Sequence, residues 1–393
     1  MDIDIERKIR KSGIMDAFTP KCPISTDALF CGRANEAQSI VRGLYTPGGH
    51  VVLYGDRGVG KTSLANHVAF QLSKLEIDTH CISSCTSSDS FSSVAIRILD
   101  EFGIDYNETI TTKNEGGIGI KGVVSGSHER EVQKKPNYDF DNPAWIASQI
   151  KKKDGVLIID EFDTIPDVRE REKFSLLMKN LSDNQSSLHI LLVGISRNIS
   201  DLMGGHSSID RSLTQVLLPR MSDDELADII EKGSQRATIK FNPNAKKRIV
   251  SLSNGMPYFT HSLALESSII AISEDRKFVT LGDLDRGINE ALKNMDASLR
   301  SRYDKAVGVQ GTTNMKRIIY SAAMIGSTNS FTLKQWTDKY SELFGETSQQ
   351  SISGSMAKRI GTESDKIISK KDYGTYVFND PQMPCYILLL GKP

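Results

Sequence analysis

The 393-residue sequence carries 49 Lys plus Arg against 49 Asp plus Glu, a formal net charge of zero, which excludes a global electrostatic pull toward nucleic acid and leaves only local patches for such contacts. An apolar fraction of 38% with 25% charged residues is that of an ordered globular chain, and the length predicts two or three domains. No apolar run approaches the roughly 20 residues that span a bilayer, and the charged N-terminus, MDIDIERKIRKSG, lacks the apolar middle of a signal peptide, so a cytoplasmic protein away from membranes is expected.

The first 28 residues read as a leader that packs on the first domain or stays mobile. His50 to Tyr54 (HVVLY) is an apolar run of strand length that enters a glycine-rich turn. Lys61 to Leu75 then places Leu64, Val68, Leu72 and Leu75 at helical spacing. A strand over Ile77–Ile82 and a helix over Phe91–Phe102 continue a β-α-β-α rhythm, which predicts a parallel sheet covered on both faces. The rhythm breaks over about 105–142, rich in Gly, Ser, Lys and Glu, and this stretch reads as a surface insertion. Beyond it come a helix near Trp145–Lys152, a strand over Gly155–Asp160, a helix over Phe174–Leu181, a buried strand at Leu188–Gly194 and a last strand at Thr214–Leu218. After Ser222 the pattern turns helical. Ser222 with Glu225 three residues on forms a capping box, and helices follow near Pro243–Leu252, Tyr258–Ile272 and Leu281–Leu292. From about Asn314, helices precede two strand-like segments, Lys366–Ser369 and Thr375–Phe378, around a turn. Helices followed by a hairpin is the order of a winged helix. Trp336 and Tyr340, four apart on a helix, read as core.

Gly55-Asp56-Arg57-Gly58-Val59-Gly60-Lys61-Thr62-Ser63 fits GxxxxGK[ST]. Such a loop turns backbone N–H groups around phosphate oxygens, and the helix that follows points its positive end at the same charge. Lys61 is placed to reach the β- and γ-phosphates, and the Thr62 hydroxyl to bind Mg²⁺. About a hundred residues on, Val156-Leu157-Ile158-Ile159 delivers Asp160 and Glu161 to the carboxyl edge of the sheet. Asp160 suits magnesium and Glu161 suits an attacking water. Asp163, two positions beyond, reads as a helix cap. Five cysteines (Cys22, Cys31, Cys81, Cys85, Cys385) with no CxxC pair read as free thiols.

Phe30-Cys31-Gly32-Arg33 with Glu36, the glycine loop, the Asp-Glu strand end, LLVGIS and SSIDRSL, in this order, resemble AAA+ ATPases, above all the origin-recognition and archaeal initiator branch and the STAND-type signalling ATPases. The resemblance covers Leu29–Leu292, and the winged-helix reading carries it to the end. It implies an α/β P-loop domain over 29–220, a helical lid over 221–298 and a winged helix over 299–393. It places Gly32 and Arg33 beside the adenine pocket, Ser196 at the polar first sensor (often Asn in the initiator branch, so that Ser196 or Asn198 must serve here), and Arg211 as an arginine finger supplied to a neighbouring subunit's ATP. Gly255-Met256-Pro257 resembles the STAND lid motif, whose proline contacts nucleotide, and no lid arginine stands there. Arg197 and Arg220 read as solvated or salt-bridging.

The expected function is ATP binding and slow, assembly-dependent hydrolysis with Mg²⁺ in a homo-oligomeric switch that recruits a protein partner, in a mobile-element, defence or signalling setting. The alternative is a DNA-binding initiator or transposition regulator. From Arg300 onward 13 Lys plus Arg face 8 Asp plus Glu, a modest excess suited to phosphate contacts through the winged helix.

Overall fold

The computed structural model describes residues 3–20, 30–82, 84–105, 138–196, 198–203, 212–308, 313–325, 330–356, 366–371 and 374–393. The chain begins with α1 (Ile3–Ser12) and α2 (Ile14–Ala17). Alternating elements follow: α3 (Ala34–Tyr45), β1 (His50–Gly55), α4 (Lys61–Ser73), β2 (Thr79–Ile82), α5 (Phe91–Glu101), α6 (Pro143–Ile150), β3 (Gly155–Ile159), α7 (Val168–Asp183), β4 (Leu188–Ile195), α8 (Ile199–Met203) and β5 (Leu213–Leu217). Then come α9 (Asp223–Ala237), β6 (Lys240–Phe241), α10 (Pro243–Ser253), α11 (Pro257–Ser273), β7 (Phe278–Val279), α12 (Leu281–Asn294) and α13 (Ala297–Val307). The chain ends with α14 (Thr313–Ile325), β8 (Phe331–Thr332), α15 (Leu333–Phe344), α16 (Gln349–Met356), β9 (Ile368–Lys370), β10 (Thr375–Phe378) and α17 (Met383–Leu389).

β1 to β5 form one parallel sheet in the order β2-β3-β4-β1-β5. The two-residue period of a strand divides its apolar runs between two cores. Val51, Leu53, Ile158 and Val193 meet Ile40 of α3 and Leu64, Val68 and Leu72 of α4. Val52, Leu157, Ile159 and Leu192 meet Phe91 and Ile98 of α5, Ile146 of α6 and Phe174 and Leu177 of α7. Burial on both faces is why these strands read as continuous apolar runs. Because β4 lies between β1 and β3, three strand ends converge at one edge: Gly55, Ile195 and the step into Asp160.

The helical part is nucleated as expected at Ser222, whose side chain accepts from the Glu225 amide at 3.2 Å while Glu225 returns the bond to the Ser222 amide at 2.9 Å. One apolar core runs through α9 to α12 and on into the C-terminal elements, joining Leu226, Ile249, Phe259 and Leu284 to Ile318, Trp336, Phe378 and Ile387. There β8 and β9 both pair antiparallel with β10. Trp336 is fully buried and donates Nε1–H to the Ile318 carbonyl at 2.8 Å, as its core assignment requires.

The leader corrects one expectation. α1 and α2 pack chiefly on α9 and α11 of the helical part: Ile9, Ile14, Ala17 and Phe18 share a core with Ala237, Ala264 and Leu265. Residues 106–137 of the expected insertion lie outside the described residues. Its C-terminal flank is described, with Tyr138 and Phe140 each edge-on to Trp145 at ring separations of 6.1 and 5.6 Å.

Candidate nucleotide site

The glycine loop connects β1 to α4 at the carboxyl edge of the sheet. Gly58 (φ 86°) and Gly60 (φ 97°) are left-handed, a conformation that a Cβ would strain, and this lets the loop curl over the first turn of α4. Lys61 opens that helix with only 8% of its surface exposed. Its ammonium donates to the carbonyls of Gly55 at 3.0 Å and Asp56 at 2.8 Å, closing the loop on itself. Burial lowers the Lys61 pKa to about 8, against the opposing pull of Asp163, Asp160 and Asp56.

Across from Lys61, the end of β3 supplies Asp160, whose Oδ1 accepts the Glu161 amide at 2.7 Å. Glu161 is itself left-handed (φ 53°) and exposed. Asp163 departs from its expected role: it lies in a short 3₁₀ turn, Phe162–Thr164, and its Oδ1 accepts from the Ile195 amide at 2.6 Å, tying the end of β4 to this turn. The cap of α7 is Asp167. Ser196 donates its amide to the Gly55 carbonyl at 3.3 Å, but its hydroxyl is turned into its own loop and donates to the Asn198 carbonyl at 2.6 Å.

A cavity of about 340 Å³ is lined by Arg57 to Ser63, Asp160, Glu161 and Asp163, with Pro257 and Tyr258 from α11 on the opposite wall. Pro257 closes over the loop, its Cγ 3.8 Å from where a Gly60 side chain would begin. Gly32, Gly55 and Asp56 do not line the cavity: Gly32 lies against the Glu225 side chain, and Gly55 and Asp56 meet Lys61 through their carbonyls. Arg33 is 4% exposed and acts as a strut: its guanidinium donates to the carbonyls of Pro219 at 2.6 Å and Val59 at 3.4 Å, and its amide donates to Glu225 at 3.2 Å. Burial lowers its pKa, with Glu225 and Glu36 opposing. The sequence reading thus places the loop, Asp160, Glu161, Arg33 and Pro257 together. Arg211 and Arg197 lie outside the described residues.

Sequence reasoning missed contributions from distant segments. Thr19, Pro20, His261 and Gln382 also line the cavity. A Cβ at Gly58 would stand 2.7 Å from Gln382 Nε2. Arg220 is a three-way connector: it donates to the carbonyls of Asn254 at 3.2 Å and Pro381 at 3.1 Å, and its Nε stands 3.9 Å from Asp56. It passes so close to the 254–256 turn that a side chain on Gly255 (φ 77°) would meet Arg220 Cβ at 2.6 Å.

A parallel sheet in this strand order, with the glycine loop and a buried lysine at one edge facing a strand-end carboxylate, defines a P-loop nucleoside triphosphatase fold of the AAA+ type. Residues 17–266 match the family described as Novel STAND NTPase 1, nSTAND1, and the chain belongs to it. Among solved structures, a Walker-type ATPase of Pyrococcus abyssi is similar at 14% identity and a TM-score of 0.51, covering 94% of this chain and 99% of that one. The ORC2 protein of Aeropyrum pernix, solved in ADPNP–ADP complexes, is similar at 13% identity and a TM-score of 0.53, with 96% of each chain covered. At these identities the likeness establishes the fold. No curated protein matches the chain. Among the described residues, no helix is long and apolar enough to cross a membrane.

Proposed function

We propose that the protein is an ATP-binding and ATP-hydrolysing switch whose nucleotide state controls assembly and the recruitment of a protein partner. The observation that carries this reading is the reach of the C-terminal segment into the nucleotide site, where Gln382 stands against Gly58 and Arg220 spans Asp56, Asn254 and Pro381. A bound phosphate therefore competes for space and charge with contacts that hold the tail.

In this reading Lys61 exchanges its two loop carbonyls for the β- and γ-phosphates, and the amides of Gly58 to Thr62 wrap the same oxygens. The hard oxygen donors of Thr62 and Asp160 fit a magnesium ion and would hold it. The ion would supply charge neutralisation at the phosphates. Glu161 holds a water in line with the γ-phosphate. The loop after β4 takes the sensor position, with Asp163 fixing it through the Ile195 amide and Ser196 free to act only after releasing Asn198. Arg211 of a neighbouring copy stabilises the transition-state charge, so turnover depends on oligomerisation.

The order α14, β8, α15, α16, β9, β10 supports the winged-helix reading of the tail. A second function, DNA contact through that unit, draws on its modest basic excess. Against it, α16, the helix before the hairpin, carries no charged residue over Gln349–Met356. Size-exclusion chromatography of the full chain with and without ATP and Mg²⁺ tests the switch: a larger species only with ATP is expected, and an elution unchanged by nucleotide that demonstrably binds would refute it. A DNA shift that strengthens with ATP would favour the second function.

A further inference from the structure

α11 enters the cavity with its first turn, where Pro257, Tyr258 and His261 form part of the lining. His261 is 5% exposed and stands edge-on to Phe18 at a ring separation of 6.1 Å. Its Nδ1 lies 3.3 Å from the Thr19 amide. A backbone amide only donates, so Nδ1 is the acceptor and the proton of the neutral ring resides on Nε2. Burial lowers the His261 pKa to about 4, which keeps the ring neutral at physiological pH and the tautomer single. Among the described residues the Nε2–H, which is buried, has no hydrogen-bond partner. An unmade bond at such a place is a standing cost that a ligand acceptor removes.

The loop, Lys61 and Asp160 account for the phosphate end of the cavity. The lining that remains is largely apolar, with Pro20, Phe30, Ile229 and Pro257, and suits a flat heteroaromatic ring. We propose that His261 is a specificity-determining residue that donates its Nε2–H to a ring nitrogen of the purine base, with the Thr19 amide holding the imidazole in the donating tautomer. The leader thereby becomes part of the nucleotide site: it sets which atom of His261 carries the proton. The inference rests on the nucleotide-site reading above and adds to it the group that reads the base.

The test uses the full chain with Mg²⁺ and four probes: ATP and its 1-deaza, 3-deaza and 7-deaza analogues, each analogue replacing one ring nitrogen by C–H. On the wild type, one analogue is expected to bind roughly 5- to 100-fold more weakly than ATP, the range for one buried donor left unpaired. On His261→Leu, ATP is expected to weaken by a similar factor and that same analogue to bind as well as ATP does. A purely structural role for His261 would instead lower all four affinities together and preserve their ratios, and that result would overturn the proposal. So would three analogues that bind the wild type as tightly as ATP. Should His261→Leu fail to fold, His261→Gln, which keeps a donor on a similar reach, is compared across the four probes and is expected to retain part of the discrimination. If ATP itself does not bind the folded wild type, the nucleotide-site reading falls and this inference with it.

Discussion

Replacing Arg220 by Ala removes two N–H donors from the carbonyls of Asn254 and Pro381 and a cation from beside Asp56. The side chain is 17% exposed, so water recovers part of the loss. Two charge-assisted bonds then sum to about 2–3 kcal/mol, or roughly a 30- to 150-fold rise in local opening. That is small beside the apolar face of α17, where Met383, Cys385, Tyr386, Ile387 and Leu389 are each 5% exposed or less. At ~1.5–3 kcal/mol per buried side chain, that face contributes about 8–15 kcal/mol as an upper estimate. The magnitudes decide the outcome: Arg220→Ala frays the entry to α17 and leaves the helix seated. Hydrogen exchange reads this directly. The amides of Gln382 and Met383, bonded to the Asp380 side chain and carbonyl, are expected to exchange faster by that factor. The Leu390 amide, bonded to the Tyr386 carbonyl at the far end, is expected to keep its rate. Release of the whole helix, or no change at Gln382 and Met383, would refute the reasoning.

Lys61→Ala is expected to abolish ATP binding or nearly so in calorimetry, and unchanged affinity in a folded variant would count against the loop assignment. Glu161→Gln is expected to bind ATP normally and fail to hydrolyse it in a phosphate-release assay; full turnover would move the water-positioning role, with Asp163 first in line. Arg211→Ala is expected to keep ATP affinity and lose roughly a thousandfold in turnover, with partial rescue on mixing with Glu161→Gln; absence of rescue would make it a structural residue. Asp283, 1% exposed, accepts from Thr280, Arg276 and Arg286; burial pushes its pKa up, but these bonds together outweigh it and hold the carboxyl well below the usual carboxylate range. Its folded pKa is depressed, so its stabilisation is present above about pH 4 and is lost as the pH falls toward the folded value. Asp283→Asn is expected to cost about 2 kcal/mol in denaturant unfolding at pH 7, less than a wholly buried pair because both arginines are partly exposed, and the difference should shrink at low pH.

What the sequence made legible was local. The glycine spacing, the lysine one step later and the strand that ends in Asp160 each lie within a dozen residues, and strand and helix periods fix their orientation. The capping box at Ser222 was readable for the same reason, whereas the proline of Gly255-Met256-Pro257 was reached only through the family resemblance. Arg220 and Gln382 were not. Gln382 meets Gly58 only because α17 packs on the lid helices, and no short-range pattern announces a contact across such a separation. The face chosen by α1 was equally silent, since an amphipathic helix shows that it has a partner and not which one. Asp163 was misread because a carboxylate just after a strand has the sequence context of a cap. Here the 3₁₀ turn carries it back to β4.

The distribution of apolar cores constrains how a nucleotide can work this protein. The sheet has its own two cores, whereas α9 to α12 and the C-terminal elements share one. Driving a two-state element from 1:99 to 99:1 needs a differential affinity of about 5.5 kcal/mol, which is below the apolar contribution of α17 alone. A nucleotide whose affinity differs by that much between two states would not release the tail from the lid. On the proposed reading it would act on the seam between the sheet and the helical part, where the links are individually small: Arg33 to Glu225, Lys232 to the Phe30 carbonyl at 2.6 Å, Gln382 against Gly58, Pro257 over Gly60, and Cys31 buried in the core of the helical part. The chain crosses that seam between the leader and α3 and again at Pro219-Arg220-Met221, between β5 and α9, where the crossing is described throughout. On the proposed reading, lid, tail and the α1–α2 leader that packs on the lid turn as one body about this crossing, against a sheet that holds the phosphates. His261 travels with that body and Lys61 with the sheet, so a nucleotide that spans both clamps the seam shut, and loss of the γ-phosphate loosens it from one side only.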